Sequence, residues 1–203
     1  MGKSIYNVIS KEHKIDGFDK TNFSNVMTIN SIENIKPNEY ELLIDFTEKE
    51  ISEKLIELFL NNKINVISGT TNMEKSFLDE MHKIALKNNV YFYHSVNFAP
   101  SFNLFCDAVK KFKRRLPAIE IVESHNITKL DAPSGSAKKL ADLLDISYKN
   151  VKALRNHEND PTHTVIFSNP NEKIYLIHQI LSRDAFIEGF MEIFNLVVGE
   201  KKC

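Results

Sequence analysis

The sequence predicts an α/β protein, with a parallel sheet in its first half and a smaller α+β domain with an open mixed sheet in its second half. Apolar runs and amphipathic stretches alternate with short joints from residue 40 to residue 96, as in repeated strand–helix–strand units. Residues 119–123 instead alternate strictly between apolar and charged, as a half-exposed strand does. The 203 residues, 42% of them hydrophobic, suffice for one large domain or two small ones.

Three apolar runs in the first half are typical of strands, at residues 40–46, 64–68 and 90–96. The first run, YELLIDF, is continuous and therefore predicts a strand buried on both faces. Amphipathic stretches between the runs predict two helices. The pairs Thr47/Glu50 and Thr71/Glu74 have the spacing of capping boxes at the starts of these helices.

The second half predicts a helix from about Phe102 to Arg115 and a hairpin formed by 164–167 and 173–180. An amphipathic helix over 185–198 ends the pattern. We place the domain boundary near residue 100, which gives domains of 1–100 and 101–183.

Composition excludes several classes of function. A formal net charge of −1 gives no global basic field for nucleic acid or anionic membranes. No apolar run approaches the roughly 20 residues of a membrane span, and the amino terminus lacks the apolar core of a secretory signal. The two cysteines, Cys106 and Cys203, exclude a disulfide scaffold and a cysteine-based zinc site. We therefore expect a cytoplasmic protein with no metal.

Three loops lie where ligands bind in open α/β sheets, at the carboxyl ends of strands: 45–47, 69–71 and 97–98. Gly69 has no side chain where its strand ends, so a flat ring could approach the backbone there. An ordinary strand-to-helix turn with capping threonines explains the same residues without any ligand.

The segment ESHNITKLDAPSGSA, residues 123–137, is the most informative part of the chain. It presents His125 and Lys129 in a loop and then begins a helix through Gly135 and Ser136. Exposed N–H groups and a hydroxyl at a helix start favour an anion, and a histidine can donate a proton near neutral pH. The pattern thus fits a carboxylate site beside an acid, although a capped helix after a polar loop explains it equally well.

This segment resembles the signature E-x-H-H-x-x-K-x-D-A-P-S-G-T-A of the dihydrodipicolinate (4-hydroxy-tetrahydrodipicolinate) reductase family. Further matches follow in family order at 45–47, 69–71, 97–98, and from His163-Thr164 to Ser182-Arg183. The resemblance implies a Rossmann-like dinucleotide-binding domain, to which helix 184–203 returns, and a substrate domain through which the family forms homotetramers.

The resemblance also implies an activity, the NAD(P)H-dependent reduction of a cyclic imine dicarboxylate in lysine biosynthesis through diaminopimelate. In the family, hydride goes to C4 of the dehydrated ring, from which the 4-hydroxyl group has left as water, and a proton goes to C3. By position, His125 is the acid, Lys129 its catalytic partner, and Asn126, Gly135 and Ser136 bind substrate.

Cofactor residues follow from the same resemblance. Asp19 matches the acidic residue that receives the adenosine ribose, which favours NADH, while the adjacent Lys20 could tolerate the phosphate of NADPH. The residues implied to line the nicotinamide are Gly69, Thr70, Thr71, Val96, Asn97, Phe98 and Ala99.

The chain departs from the family pattern at several points. Met1-Gly2 matches the end of the family's G-x-x-G-x-M-G loop, so the first strand, central in such a sheet, has no counterpart. A start codon assigned too late and a truncated derivative both explain this, and a non-catalytic remnant that binds or regulates a partner remains an alternative function. Asn126 replaces a second histidine, and the segment between Asp145 and Val151 is shorter than in the family.

Overall fold

A computed structural model describes residues 1–19, 28–157 and 160–199. The chain forms two compact units. The first comprises Met1–Ser95 and Phe194–Cys203, and the second comprises Val96–Ile193.

The first unit contains a short parallel sheet with intervening helices, as the sequence predicts. Its elements are α1 (Gly2–Ile9), β1 (Gly17–Phe18), β2 (Thr28–Ile29), β3 (Leu42–Asp45), α2 (Lys49–Asn61), β4 (Asn65–Ser68), α3 (Lys75–Asn88) and β5 (Phe92–His94). Strands β3, β4 and β5 pair in parallel in that order. Short 3-10 turns at Ile32–Asn34 and Pro37–Glu39 precede β3.

The sheet of the first unit is interrupted. Strands β1 and β2 form a separate parallel pair, in which Gly17 is opposite Thr28, and in the described part of the chain neither strand pairs with β3. The expectation of a strand buried on both faces at residues 40–46 is wrong: Leu42, Leu43 and Ile44 are only half-buried, because β3 is an edge strand among the described residues, whereas all four residues of β4 are buried.

Both predicted capping boxes are wrong. Helix α2 begins after Glu48 and α3 after Glu74, and neither N-cap residue makes a side-chain hydrogen bond to its helix. The Thr47 hydroxyl bonds instead to the side chain of Asp45, as described below. Helix α3 ends at Asn89, which adopts the left-handed conformation (φ 54°) common at helix ends.

The second unit contains a four-stranded mixed sheet. Its elements are α4 (Pro100–Lys113), β6 (Ala118–Asn126), α5 (Gly135–Leu144), β7 (Val151–Asn156), β8 (Thr162–Ser168), β9 (Lys173–Gln179) and α6 (Asp184–Gly199), which continues into the first unit at Phe194. The strand order is β7-β6-β8-β9, in which only β6 and β7 are parallel. The predicted hairpin is confirmed, but the sequence analysis missed β7.

The sheet of the second unit has one buried and one exposed face. Helices α4 and α5 cover the buried face, and fully buried side chains there include Phe102, Leu140 and Val165.

On helix α6, a Cβ atom at Gly189 would lie 1.8 Å from the carbonyl oxygen of Phe98, so only glycine permits this packing. None of the described helices is both long and apolar enough to cross a membrane.

Candidate active site

Strand β6 places Glu123 and His125 on the same face of the sheet, because residues two apart in a strand share a face. Glu123 is fully buried, and its Oε2 lies 2.7 Å from Nδ1 of His125. Neither atom makes an aligned hydrogen bond, so the contact is mainly electrostatic. Burial would raise the pKa of Glu123, but the contacts with His125 and Ser134 outweigh burial and lower it to about 2.

Arg155 on β7 provides the positive charge on the other side of this carboxylate. Its Nη2 lies 3.1 Å from Oε1 of Glu123 and also donates to the carbonyl of Asp131 at 2.5 Å. Its Nε donates to the carbonyl of Lys129 at 3.3 Å. The loop that carries Lys129 is therefore hydrogen-bonded to Arg155, the same residue that contacts the Glu123 carboxylate beside His125.

The Lys129 ammonium lies 2.7 Å from Oδ1 of Asp131, with about 29% of the lysine side chain exposed. The second carboxylate oxygen of Asp131, Oδ2, is buried without a hydrogen bond. Asp131 thus holds the cation near the start of α5 while solvent still reaches part of the lysine side chain.

Helix α5 begins at the predicted anion site. Ser134 is its N-cap and accepts a hydrogen bond from the N–H of Ala137, while its own N–H donates to Oε1 of Glu123 at 3.1 Å. Gly135 and Ser136 form the first turn, which contains no acidic residue. The Ser136 hydroxyl accepts from the side-chain amide of Asn97 at 3.0 Å. Gly135 and Ser136 thus lie at the positive end of the helix, which favours an anion, although both residues are buried and Ser134 caps the N–H of Ala137.

Two further histidines lie on the neighbouring strands. The His163 ring is 5.2 Å from the His125 ring, and its Nε2 lies 3.3 Å from the Ser134 hydroxyl. Burial, with the charge of His125, lowers the pKa of His163 to about 3. Burial also lowers the pKa of His178, whose Nε2 lies 3.0 Å from the Ser101 hydroxyl. Both histidines are buried.

Glu123, His125 and His163 also bring potential metal-ligating atoms within 4.8 Å of one another. However, the guanidinium of Arg155 lies on the same carboxylate and would repel a divalent cation. The carboxylate is therefore better suited to orient His125 than to bind a metal.

Asn126 is not brought together with this group. It lies one residue beyond His125 on β6 and therefore on the opposite face of the strand. Its Oδ1 accepts from the N–H and hydroxyl of Thr128 at 3.0 and 2.8 Å, and its Nδ2 donates to the His157 carbonyl at 3.4 Å. These bonds stabilise the turn after β6.

In the first unit, the carboxyl ends of β3 and β4 are joined through Asp45, which is 1% exposed. Its Oδ1 accepts from the N–H and hydroxyl of Thr47 at 3.0 and 2.6 Å. Its Oδ2 accepts from the hydroxyls of Ser52, Ser68 and Thr70, the last two at 2.7 and 3.0 Å. This network fixes the two loops predicted to face the cofactor.

Thr70, predicted to bind cofactor, directs its side chain inward. The hydroxyl lies between Asp45 and the carbonyl of Thr47, 2.9 Å away, and the Thr70 carbonyl lies 2.7 Å from Nε2 of His94. Thr71 is half-buried beside it. The threonine side chain therefore shapes the loop.

Gly69 makes the close approach that the sequence predicts, but to a ring of the protein itself. A Cβ atom at Gly69 would lie 2.1 Å from Cε1 of Phe46 and 2.9 Å from Cζ. The Gly69 N–H also donates to the Asp45 carbonyl at 2.8 Å. An aromatic ring thus lies directly over this glycine, and the position tolerates no side chain without movement of Phe46.

The remaining predicted cofactor residues are divided between the units. Asp19 follows β1 directly, and its N–H lies 3.4 Å from the carbonyl of Ile29. Val96 is half-buried, and Asn97, Phe98 and Ala99 are buried in the second unit. Lys20 lies outside the described residues.

Two features of the first unit bear on dinucleotide binding, the start of α1 and the position of Asp19. Helix α1 begins with no side-chain cap and no acidic residue in its first turn, and a Cβ at Gly2 would meet nothing within 4 Å. Such a helix start suits a phosphate, and an acidic residue just after a neighbouring strand, Asp19, suits a ribose.

Sequence reasoning missed three residues around the site: Asp45 as a buried acceptor, Glu123 as the partner of His125, and Arg155. Glu123 has a local signal, since it precedes His125 by two residues on an alternating strand. Arg155 has none, because it reaches Glu123 only through the pairing of β7 with β6.

The Rossmann-like first unit and the mixed sheet of the second are the architecture of an oxidoreductase of the dehydrogenase type, which uses a nicotinamide cofactor. Family models described as dihydrodipicolinate reductase, N-terminus and C-terminus, match residues 1–98 and 101–203. The chain belongs to the dihydrodipicolinate reductase family.

Relatives agree with this assignment. The 4-hydroxy-tetrahydrodipicolinate reductase of Methanosphaera stadtmanae is 30% identical over 190 residues, which cover 81% of this chain and 68% of the relative. The reductase of the same name from Methanococcus vannielii is 30% identical over 202 residues, covering 88% and 74%.

Solved structures are similar in fold. The dipicolinate-bound dihydrodipicolinate reductase of Paenisporosarcina sp. TG-14 superposes with a TM-score of 0.66 at 21% identity, covering 88% of this chain and 77% of that one. Aspartate dehydrogenase of Thermotoga maritima gives 0.58 at 12% identity, covering 100% and 93%. The fold therefore extends to dinucleotide-dependent dehydrogenases beyond the family.

Proposed function

We propose that this chain reduces 4-hydroxy-tetrahydrodipicolinate to tetrahydrodipicolinate in lysine biosynthesis. The observation that carries the proposal is the placement of His125 against the buried Glu123 beside the start of α5, whose first turn contains no acidic residue. This arrangement supplies an acid and a carboxylate site, which are the two functions that reduction of a cyclic imine dicarboxylate requires from the protein.

His125 is the acid that protonates C3 of the substrate ring. Because Nδ1 faces Glu123, Nε2 is the nitrogen left to deliver the proton. Lys129 holds a substrate carboxylate and assists the proton transfer, and the backbone N–H groups of Gly135 and Ser136 hold the same carboxylate. In this proposal Asn126 supports the loop.

The residues proposed to bind the cofactor are assigned mainly by their match to the family's motifs. A bound nicotinamide cofactor supplies the hydride that C4 receives. Asp19 accepts hydrogen bonds from the adenosine ribose, which favours NADH over NADPH. Gly69, Thr70 and Thr71 form one wall for the nicotinamide, with the Thr70 hydroxyl holding the loop, and Val96, Asn97, Phe98 and Ala99 are assigned by resemblance.

The test is a coupled absorbance assay at the NAD(P)H band. The preceding synthase generates the substrate in place from pyruvate and aspartate semialdehyde, and NADH and NADPH are run separately. We expect oxidation that requires the synthase and is faster with NADH. A folded, cofactor-binding chain that oxidises neither cofactor would refute the proposed activity.

Two variants assign the roles. His125→Gln removes the acid and should lower kcat by at least about a hundredfold with cofactor binding unchanged. Lys129→Ala should raise KM and lower kcat together. An unchanged kcat in either variant would remove that residue from the mechanism.

The alternative of a non-catalytic remnant is not favoured. Family models match both halves of the chain, and the acid, the lysine and the helix start are all present.

We also propose a cytoplasmic homotetramer that forms through the exposed face of the four-stranded sheet. Leu154, Tyr175 and Ile177 lie on this face and are 54–62% exposed. Light scattering after size exclusion should give a tetramer, and Ile177→Lys should reduce it to smaller species. A monomeric wild-type protein would contradict this part of the proposal.

A further inference from the structure

The side chain of Arg155 is 18% exposed and contacts residues from three places in the chain. Besides the Leu154 carbonyl at 2.7 Å, it reaches the Glu123 carboxylate on β6 and the carbonyls of Lys129 and Asp131 in the loop. A planar guanidinium can satisfy several such acceptors in fixed directions, whereas an ammonium cannot.

Glu123 has equally diverse contacts. One oxygen accepts from the backbone of Ser134 and from Arg155, and the other faces His125. The buried pair of Glu123 and Arg155 therefore touches the strand of the acid, the loop of Lys129 and the N-cap of α5. These are the three segments on which the proposed function depends.

We propose that the Glu123–Arg155 ion pair is a positioning device that sets both the placement of Lys129 and the proton affinity of His125, an inference that rests on the proposed function. Arg155 is then a positioning residue, since it acts through Glu123 and the loop carbonyls. Glu123 and Arg155 have opposite effects on the proton affinity of His125. The carboxylate stabilises the imidazolium form, and the guanidinium destabilises it.

The charged and titratable groups that face His125 come from four elements. Glu123 lies on its own strand, and His163 faces it from β8. Arg155 on β7 is its register partner, and the following loop carries Lys129 and the carboxylate of Asp131 paired with it. His163 is neutral near pH 7, so Glu123, Arg155 and the Lys129–Asp131 ion pair supply the fixed charges.

The decisive experiment compares Arg155→Met with Glu123→Gln. Arg155→Met leaves the carboxylate uncompensated, so the His125 titration midpoint should move to higher pH by roughly one unit. Glu123→Gln removes the negative charge, so the midpoint should move to lower pH. Both are read from the His125 ring resonances by NMR without substrate, and again from the basic limb of the pH–kcat profile.

Arg155→Lys separates charge from geometry. It should restore the wild-type titration midpoint but leave KM raised by at least about tenfold, because an ammonium cannot bond the carboxylate and both loop carbonyls together. Lys152→Met is the matched control, since Lys152 lies on the same strand and pairs with Glu120 of β6, but is exposed. It should change neither the titration midpoint nor KM.

Shifts in the same direction, or no shift, in the two main variants would overturn the proposal. If Arg155→Met does not fold, Glu123→Gln should still lower the His125 titration midpoint, whereas Arg155→Lys should leave the midpoint unchanged and raise KM; an unchanged midpoint in Glu123→Gln or an unchanged KM in Arg155→Lys would then overturn the proposal. A different result is a wild-type protein that lacks reductase activity while the two variants still shift the His125 midpoint in opposite directions. That result would support the electrostatic role of the ion pair and refute the proposed function.

Discussion

Asp45 and Glu123 are both almost fully buried carboxylates, yet their partners differ in kind. Asp45 accepts hydrogen bonds from four hydroxyls and one backbone N–H. Glu123 faces an arginine, a histidine and a single backbone N–H. Neutral donors hold Asp45 in place without transferring charge, which suits a structural role. Ionisable partners couple Glu123 to the protonation of its neighbour, which suits a site that handles protons.

The largest effect is expected from Asp45→Ala. Removing the carboxylate leaves the buried hydroxyls of Ser52, Ser68 and Thr70 without their acceptor, so the free energy of unfolding should fall by about 4 kcal/mol. Urea denaturation measures it. Asp107→Ala removes an exposed, salt-bridged carboxylate as the control and should cost less than about 0.5 kcal/mol. Equal losses would contradict the structural role of Asp45.

Gly69→Ala tests the loops that Asp45 holds. The new methyl group must displace the Phe46 ring, which should cost about 2 kcal/mol of unfolding free energy. The double variant Gly69→Ala/Phe46→Ala removes the clash, so adding Gly69→Ala to Phe46→Ala should cost much less than adding it to the wild type. A cost that does not depend on Phe46 would show that the contact is not the cause.

The ionic surroundings of Glu123 predict a pH effect in the second unit. His163 is neutral in the folded protein because its pKa is lowered to about 3, whereas the unfolded chain takes up a proton below about 6.5. Stability is therefore lost as pH falls from about 6.5 towards 3. Between pH 7 and pH 5 this histidine should contribute about 2 kcal/mol of that loss.

His163→Gln should remove this contribution, as urea denaturation at the two pH values will show. Val165→Ala on the same strand has no titratable group and should lower stability equally at pH 7 and pH 5. If His163→Gln keeps the wild-type pH dependence, the histidine is not held neutral by burial.

The smallest effect is expected from Ser134→Ala, which removes a neutral donor and acceptor beside the ionic pair. Loss of the N-cap bond to the N–H of Ala137 should cost about 1 kcal/mol in thermal or urea unfolding. Ser134→Thr keeps the hydroxyl and should cost less. Identical losses in the two variants would argue against a capping role.

The elements that could be predicted from the sequence are those whose own residues carry a recognisable pattern. The order of strands and helices, the hairpin and the start of α5 follow from periodicity and from one helix-start motif. Strand β7 exposes Leu154 and buries part of Arg155, so its apolar and charged residues show no alternation from which a strand could be predicted. Its pairing with β6 depends on residues that are distant in the sequence, because α5 lies between the two strands.

The capping boxes failed for a related reason. Thr47 has the correct spacing to cap α2, but its hydroxyl bonds to Asp45, two residues earlier, at 2.6 Å. A buried carboxylate is a strong acceptor, so it directs the Thr47 hydroxyl towards Asp45 and not towards the backbone N–H from which the oxygen would accept in a capping box. Local spacing identifies a possible bond, and the tertiary structure decides which partner is used.

The interruption of the first unit's sheet has a consequence for cofactor binding. Strands β1 and β2 contribute only two residues each to their pair, so we expect their amide hydrogens to exchange with solvent through local opening, long before those of β4. Asp19 directly follows β1 and is the proposed ribose partner. Binding of the adenosine half would then include an ordering cost, and saturation with NADH should slow exchange most in β1 and β2.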